Sequence, residues 1–146
     1  MQHFGAALRA QRDDGFSLVE VLVVTVIIGI LAAIALPLLF SQRKKGYDAS
    51  IKSDLRTVAN DMESYYTEFE AYPTTLDGAT VTGSAPIGNE VVRLSAGNSV
   101  QIDFNAPKNA YCLQGTNTQA TSSTGWFYIS NQGGIQPSGT TSCGSY

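Results

Sequence analysis

Gly15 and Phe16 stand directly before an apolar run that reaches Phe40, and Glu20 is the one charged residue inside that run. An ionisable group in a bilayer-length apolar segment costs about 2.5–3.5 kcal/mol on insertion scales, and such groups usually have a functional partner. Glu20 lies four residues after Phe16, roughly 6 Å along a helix. At that spacing its carboxylate does not fold back easily onto an amine of its own chain, because the helix backbone fixes the side-chain direction. A second copy displaced along the helix axis can bring its amine to Glu20. In a poorly hydrated setting the Coulomb attraction then rewards one relative offset of the copies. Glu20 is read as a registry device of that kind, a use of buried charge that has to be argued for each protein.

The same inventory excludes most catalysis. The only histidine is His3, ahead of the apolar run, so the rest of the chain has none for histidine general-base chemistry. No nucleophile–base set is evident, which makes an enzyme the least favoured class. Cys112 and Cys143 are the only cysteines and fall short of a common zinc ligand set. In an exported domain they read as one disulfide, with two buried free thiols as the alternative. Such a bridge would pin the C-terminal tail, rich in Gly, Ser and Thr, onto a sheet. Asp77, Glu90 and Asp103 are scattered rather than set out as a calcium loop, and residues 131–146 hold no acid. No metal or cofactor is expected. The formal net charge is −3, without the basic stripe that direct nucleic-acid binding requires. Tyr47, Tyr65, Tyr66, Phe69 and Tyr72 sit at helical spacing and read as core material rather than as an electron path.

At 146 residues the chain is long enough for one domain. Residues 1–15 are polar, lack the apolar centre of an ordinary secretory signal, and are predicted to be a leader. Residues 16–40 would span about 37 Å as a helix, enough for a hydrocarbon core of ~30 Å. Arg9 and Arg12 before this segment and Arg43, Lys44 and Lys45 after it give little asymmetry for the positive-inside rule. Residues 41–72 continue the helix as an amphipathic half: Ile51, Leu55, Val58, Met62, Tyr65 and Phe69 lay one apolar stripe along it. Pro73 stops it, and Pro37 is expected to kink it. Residues 73–89 read as a loop. Strands follow at Glu90–Ser95, around Val100, Ile102 and Phe104, at Ala110–Gln114 and at Trp126–Ser130, separated by turn residues. The predicted fold class is α+β: a long N-terminal helix packed on an antiparallel sheet of about four strands.

The residues Gly15-Phe16-Ser17-Leu18-Val19-Glu20-Val21-Leu22-Val23-Val24 resemble the prepilin cleavage and N-methylation motif. The run Ile27-Ile28-Gly29-Ile30-Leu31-Ala32-Ala33-Ile34-Ala35-Leu36-Pro37 continues that resemblance, with glycine and proline in register. The chain is thus similar to a type IV pilin or a close pilin-like relative, strongly over Gly15 to Phe40 and in layout thereafter. Asp14 stands where the family usually carries Lys or Arg. The resemblance implies cleavage between Gly15 and Phe16 by a membrane aspartic prepilin peptidase and methylation of Phe16. It also implies a role for Glu20 in methylation and assembly, and unwinding between Gly29 and Pro37 within a filament. The partners it implies are copies of the chain itself, the peptidase and methyltransferase, an assembly platform in the inner or cytoplasmic membrane, and the membrane before assembly. The expected product is an extracellular pilus filament serving adhesion, twitching motility or DNA uptake, with the major pseudopilin of a type II secretion system as the alternative. The cysteine pair and the acid-free C-terminal stretch favour the pilus. A monomeric anchored binding domain is a third reading, against which Gly15-Phe16 followed by Glu20 weighs.

Overall fold

The computed structural model describes residues 15–144 and Tyr146. Apart from Gly15, the predicted leader lies outside the described residues, as do His3 and Asp14. The chain divides into two units, one ending at Leu38 and one running from Leu39 to Tyr146. Helix α1 (Leu18–Phe69) begins in the first and ends in the second.

In the first unit α1 is built from long aliphatic side chains turned to solvent, with Leu18 80% and Ile34 72% exposed. It is long and apolar enough, by length and composition, to cross a membrane. Pro37 sits inside the helix without ending it.

In the second unit the stripe on α1 meets the sheet. Ile51, Leu55, Val58 and Met62 are fully buried, while Tyr65 is half-buried and Phe69 is exposed. The expected end at Tyr72 is late. The helix stops at Phe69 because Glu70 adopts a φ of 53°, the left-handed geometry that closes helices, and its N–H bonds back to the Tyr66 carbonyl at 2.8 Å.

The strands are β1 (Thr80–Thr82), β2 (Ser84–Ile87), β3 (Glu90–Arg93), β4 (Ser99–Asn105), β5 (Ala110–Thr116), β6 (Trp126–Ile129) and β7 (Gly134–Ile135). Five form one sheet in the order β1-β4-β5-β6-β7, and β2 pairs with β3 as a separate hairpin. Every pairing is antiparallel. The α+β architecture is the predicted one, with three differences. β1 and β2 lie in the segment read as loop, β7 lies beyond a turn signal, and β3 stays outside the main sheet. β1 and β7 hold three and two residues, too few for alternation to stand out from a loop. Their partners on β4 and β6 define them.

Side chains alternate across β5. Tyr111 and Leu113 face the helix and join Ile51, Leu55, Val58 and Met62 in one cluster, whereas Ala110 and Cys112 join Phe127, Ile129 and Tyr146 in a second. The helix lies very close to the sheet at Gly115, where an added Cβ would stand 2.5 Å from Ile51 Cγ2 and 3.1 Å from Leu55 Cγ. Only glycine admits that approach.

Candidate assembly and processing site

Gly15, Phe16 and Ser17 precede α1, and the Ser17 carbonyl accepts the first helical hydrogen bond, from the Val21 N–H at 3.2 Å. Phe16 is 83% exposed. Glu20 falls in the first turn and is exposed, where the unpaired N–H groups of a helix start favour negative charge. The structure therefore brings Gly15, Phe16 and Glu20 together at one helix entrance. Gly29 lies on an open part of the helix, where an added Cβ would meet nothing within 4 Å. Among the described residues no contact asks for glycine there.

Cys112 and Cys143 lie in the other unit and are joined as a disulfide, with Cα atoms 6.0 Å apart. The bridge ties the tail to the sheet face away from α1, where Tyr146 is buried against Ala110, Cys112, Phe127 and Ile129. The side-chain amide of Asn105 also donates to the Tyr146 carbonyl. Burial first, and then the charges of Asp103 and Asp77, push the Tyr146 phenol up.

The sequence reading missed a set of polar side chains that fixes the helix on the sheet. Asp54 is buried on the apolar face of α1. Its carboxylate accepts from the Ser95 N–H at 2.9 Å, the Ser95 hydroxyl at 3.0 Å and the Asn98 amide at 2.7 Å. Asn98 also donates to Ser50 Oγ at 2.9 Å and accepts from the Asn117 amide at 2.7 Å. A buried carboxylate is tolerated when its lone pairs are filled in this way. The signal was present in the sequence: Asp54 stands three residues after Ile51 and four before Val58, which places it on the stripe.

Asp48, six residues earlier, accepts from the Thr121 N–H at 3.1 Å. Burial works to raise its carboxyl, but the Thr121 hydrogen bonds and the groups around them together hold it below the usual range. The buried Trp126 indole N–H, which makes no hydrogen bond of normal geometry, and nearby Lys52 add to the effect. Lys52 lies over the Trp126 ring, 3.4 Å from its centroid, in cation–π contact. Near the end of α1, Tyr111 donates to Glu63 at 2.9 Å and Tyr72 donates to the same oxygen at 3.2 Å. Among the described residues no three His, Cys, Asp or Glu side chains converge as a metal site.

A family model described as the prokaryotic N-terminal methylation motif matches residues 11–36, which contain Gly15, Phe16, Glu20 and Gly29. The chain is thus similar, over its N-terminal half, to type IV pilin-like proteins. It is 33% identical over 82 residues to the type II secretion system core protein G of Pseudomonas aeruginosa, covering 56% of this chain and 58% of that protein. To the protein of the same name from Klebsiella pneumoniae it is 37% identical over 76 residues, 52% of this chain and 54% of that one. It is also similar to the type IV major pilin protein PilA of Myxococcus xanthus, 35% identical over 75 residues, 51% of this chain and 33% of that one. The matched stretch is thus little more than half the length of the secretion relatives and a third of the pilin. This pilin-like chain joins the methylation motif, an apolar helix and a disulfide-bridged α+β head.

Proposed function

We propose that this chain is the precursor of a filament subunit. A prepilin peptidase cuts between Gly15 and Phe16, the new Phe16 amine is methylated, and an assembly platform draws the apolar helix out of the bilayer. Residues 1–15 are the leader, 16–40 the span, 41–72 the amphipathic half, and 73–146 the head. The observation that carries this reading is Gly15-Phe16 followed by Glu20 at the entrance of a helix whose apolar side chains are exposed in the single subunit. That surface needs a cover, first lipid and then other copies of the same helix. Glu20 pairs with the Phe16 amine of a neighbouring copy and sets the axial offset. Gly29, which has no packing duty within the subunit, and Pro37, which lacks a donor, bracket the stretch where helicity yields on packing. The chain is a structural subunit rather than an enzyme, held first in the membrane and then outside it.

Two machines fit such a subunit. Similarity to proteins named for type II secretion, with the larger share of those chains covered, supports the major pseudopilin of a secretion system. Similarity to a named major pilin supports a type IV pilus for adhesion, motility or DNA uptake, and the disulfide-tied tail accords with it. The secretion reading stands at least level with the pilus reading. The intact mass of the native protein tests the shared core. It should lack residues 1–15, carry one methyl group, and be two hydrogens short for the bridge. Removing the chain from its host separates the machines: loss of protein export points to secretion, loss of surface motility to a pilus.

A further inference from the structure

Arg43, Lys44 and Lys45 follow the apolar segment closely and are exposed. On the exported side of a membrane these bases oppose the orientation that the proposed precursor needs. Among the described residues none of them pairs with an acid. Arg43 shares one face of α1 with Gly46, Tyr47 and Ser50. That face and Ala96, in the turn between β3 and β4, line a cleft of about 380 Å³. All five residues belong to the second unit.

The cleft is lined with hydrogen-bond donors. Arg43 presents a planar fork of N–H groups. Ser50 Oγ accepts from the Asn98 amide at 2.9 Å, and its own hydrogen, like the Tyr47 phenol, has no partner among the described residues. None of the five lining residues is acidic. Asp48, the nearest carboxylate along the chain, is buried and accepts from the Thr121 N–H. Gly46 adds a second observation. Glycine inside a helix is less stable than alanine, yet an added Cβ at Gly46 would meet nothing within 4 Å. Its bareness keeps the cleft open.

The place of the cleft along the chain points to what enters it. Arg43 stands three residues past Phe40 and Ser50 ten past it, roughly 4.5 and 15 Å of helical rise. The polar layer outside the hydrocarbon is about 5–8 Å deep on each face of a bilayer. A chain that spans the membrane through Phe40 therefore carries Arg43 and Gly46 at the level of the headgroups, where tyrosine and arginine are favoured anchors. We infer that this cleft binds the phosphate of an anionic phospholipid in the leaflet from which the helix emerges. Arg43, the Tyr47 phenol and the Ser50 hydroxyl donate to the phosphate, while Lys44 and Lys45 attract anionic lipid to the cleft. The inference rests on the reading of residues 16–40 as a membrane span. The headgroup holds the precursor at one depth, and extraction into a filament has to break that contact.

The test uses the full-length chain purified from the membrane fraction of its host in a neutral detergent. Phosphatidylglycerol or phosphatidylcholine is added to the micelles, and native mass spectrometry counts the phospholipids that each chain retains. The native chain should keep one phosphatidylglycerol and release phosphatidylcholine. Arg43→Gln and Gly46→Leu should each weaken retention by about tenfold. Leucine at position 46 alters no charge and favours the helix, so that variant keeps its fold and its bases. Retention by Gly46→Leu equal to that of the native chain would mean diffuse attraction rather than a site, and would overturn the inference. Equal retention of phosphatidylcholine would assign the lipid to the apolar span and overturn it too. Displacement of the lipid by inorganic phosphate would make a free anion the ligand, with the same consequence. A chain found only in the soluble fraction would remove the membrane span and this inference together. A chain in the membrane fraction that retains no phospholipid would remove this inference alone.

Discussion

Asp54 accepts a hydrogen bond from the side-chain amide of Asn98 at 2.7 Å, with both groups buried and forty-four residues apart. This contact joins the face of α1 to the turn before β4, and through Asn117 to the loop after β5. Hydrophobic burial brings helix and sheet together without selecting one rotation of the helix. The Asp54 cluster does select one, because only there are its donors and acceptors all used. Asp54→Ala should leave the Ser95 and Asn98 donors unpaired and cost about 2–4 kcal/mol. Denaturant unfolding of the subunit in detergent would measure it, and a loss below 1 kcal/mol would mean that water replaces the carboxylate.

Gly115 faces Ile51 and Leu55 across the closest part of the helix–sheet contact. Gly115→Val should force the helix off β5 and destabilise by about 1–3 kcal/mol or more. A lowered melting temperature with retained helix content is the expected result.

The Cys112–Cys143 bridge closes a loop with a sequence separation of 31. In the chain-entropy account a loop of that length contributes roughly 3–4 kcal/mol. Replacing both residues by serine should lower stability by that order and free the tail that Tyr146 anchors. Limited proteolysis should then cut after Pro137, a region left intact in the bridged protein.

Burial first, and then the Glu63 charge, push the Tyr72 phenol up to about 12 from an ordinary value of 10.0. A folded-state value above the unfolded one means that the neutral phenol stabilises the fold fully below pH 10. That contribution is lost as pH rises from 10 towards 12. Alkaline melts should therefore fall more steeply for the native chain than for Tyr72→Phe over this window. Parallel curves would show that the phenol ionises equally in both states.

How much of this was legible in the sequence depended on length and repetition. The apolar segment, the stripe from Ile51 to Met62 and the strands around Ile102 and Leu113 carry many residues of one period, and they lie where the pattern placed them. β1, β2 and β7 did not stand out, because strands this short are defined by their partners rather than by their own residues. Glu20 drew attention because an acid in an apolar run is costly and rare, and the methylation-motif match spans it together with Gly15 and Phe16. Asp54 was equally costly but sat in a segment with many other charges, and the loop residues that neutralise it follow about forty positions later.

The proposed assembly turns on Glu20 meeting the amine of a neighbouring copy. The direct measurement is filament yield by electron microscopy for Glu20→Ala, with membrane-fraction protein and leader removal followed in parallel. The expected result is normal insertion with filaments reduced by about a hundredfold, as for loss of a charge pair in a poorly hydrated setting. Filaments of normal number and length from Glu20→Ala would contradict the registry role.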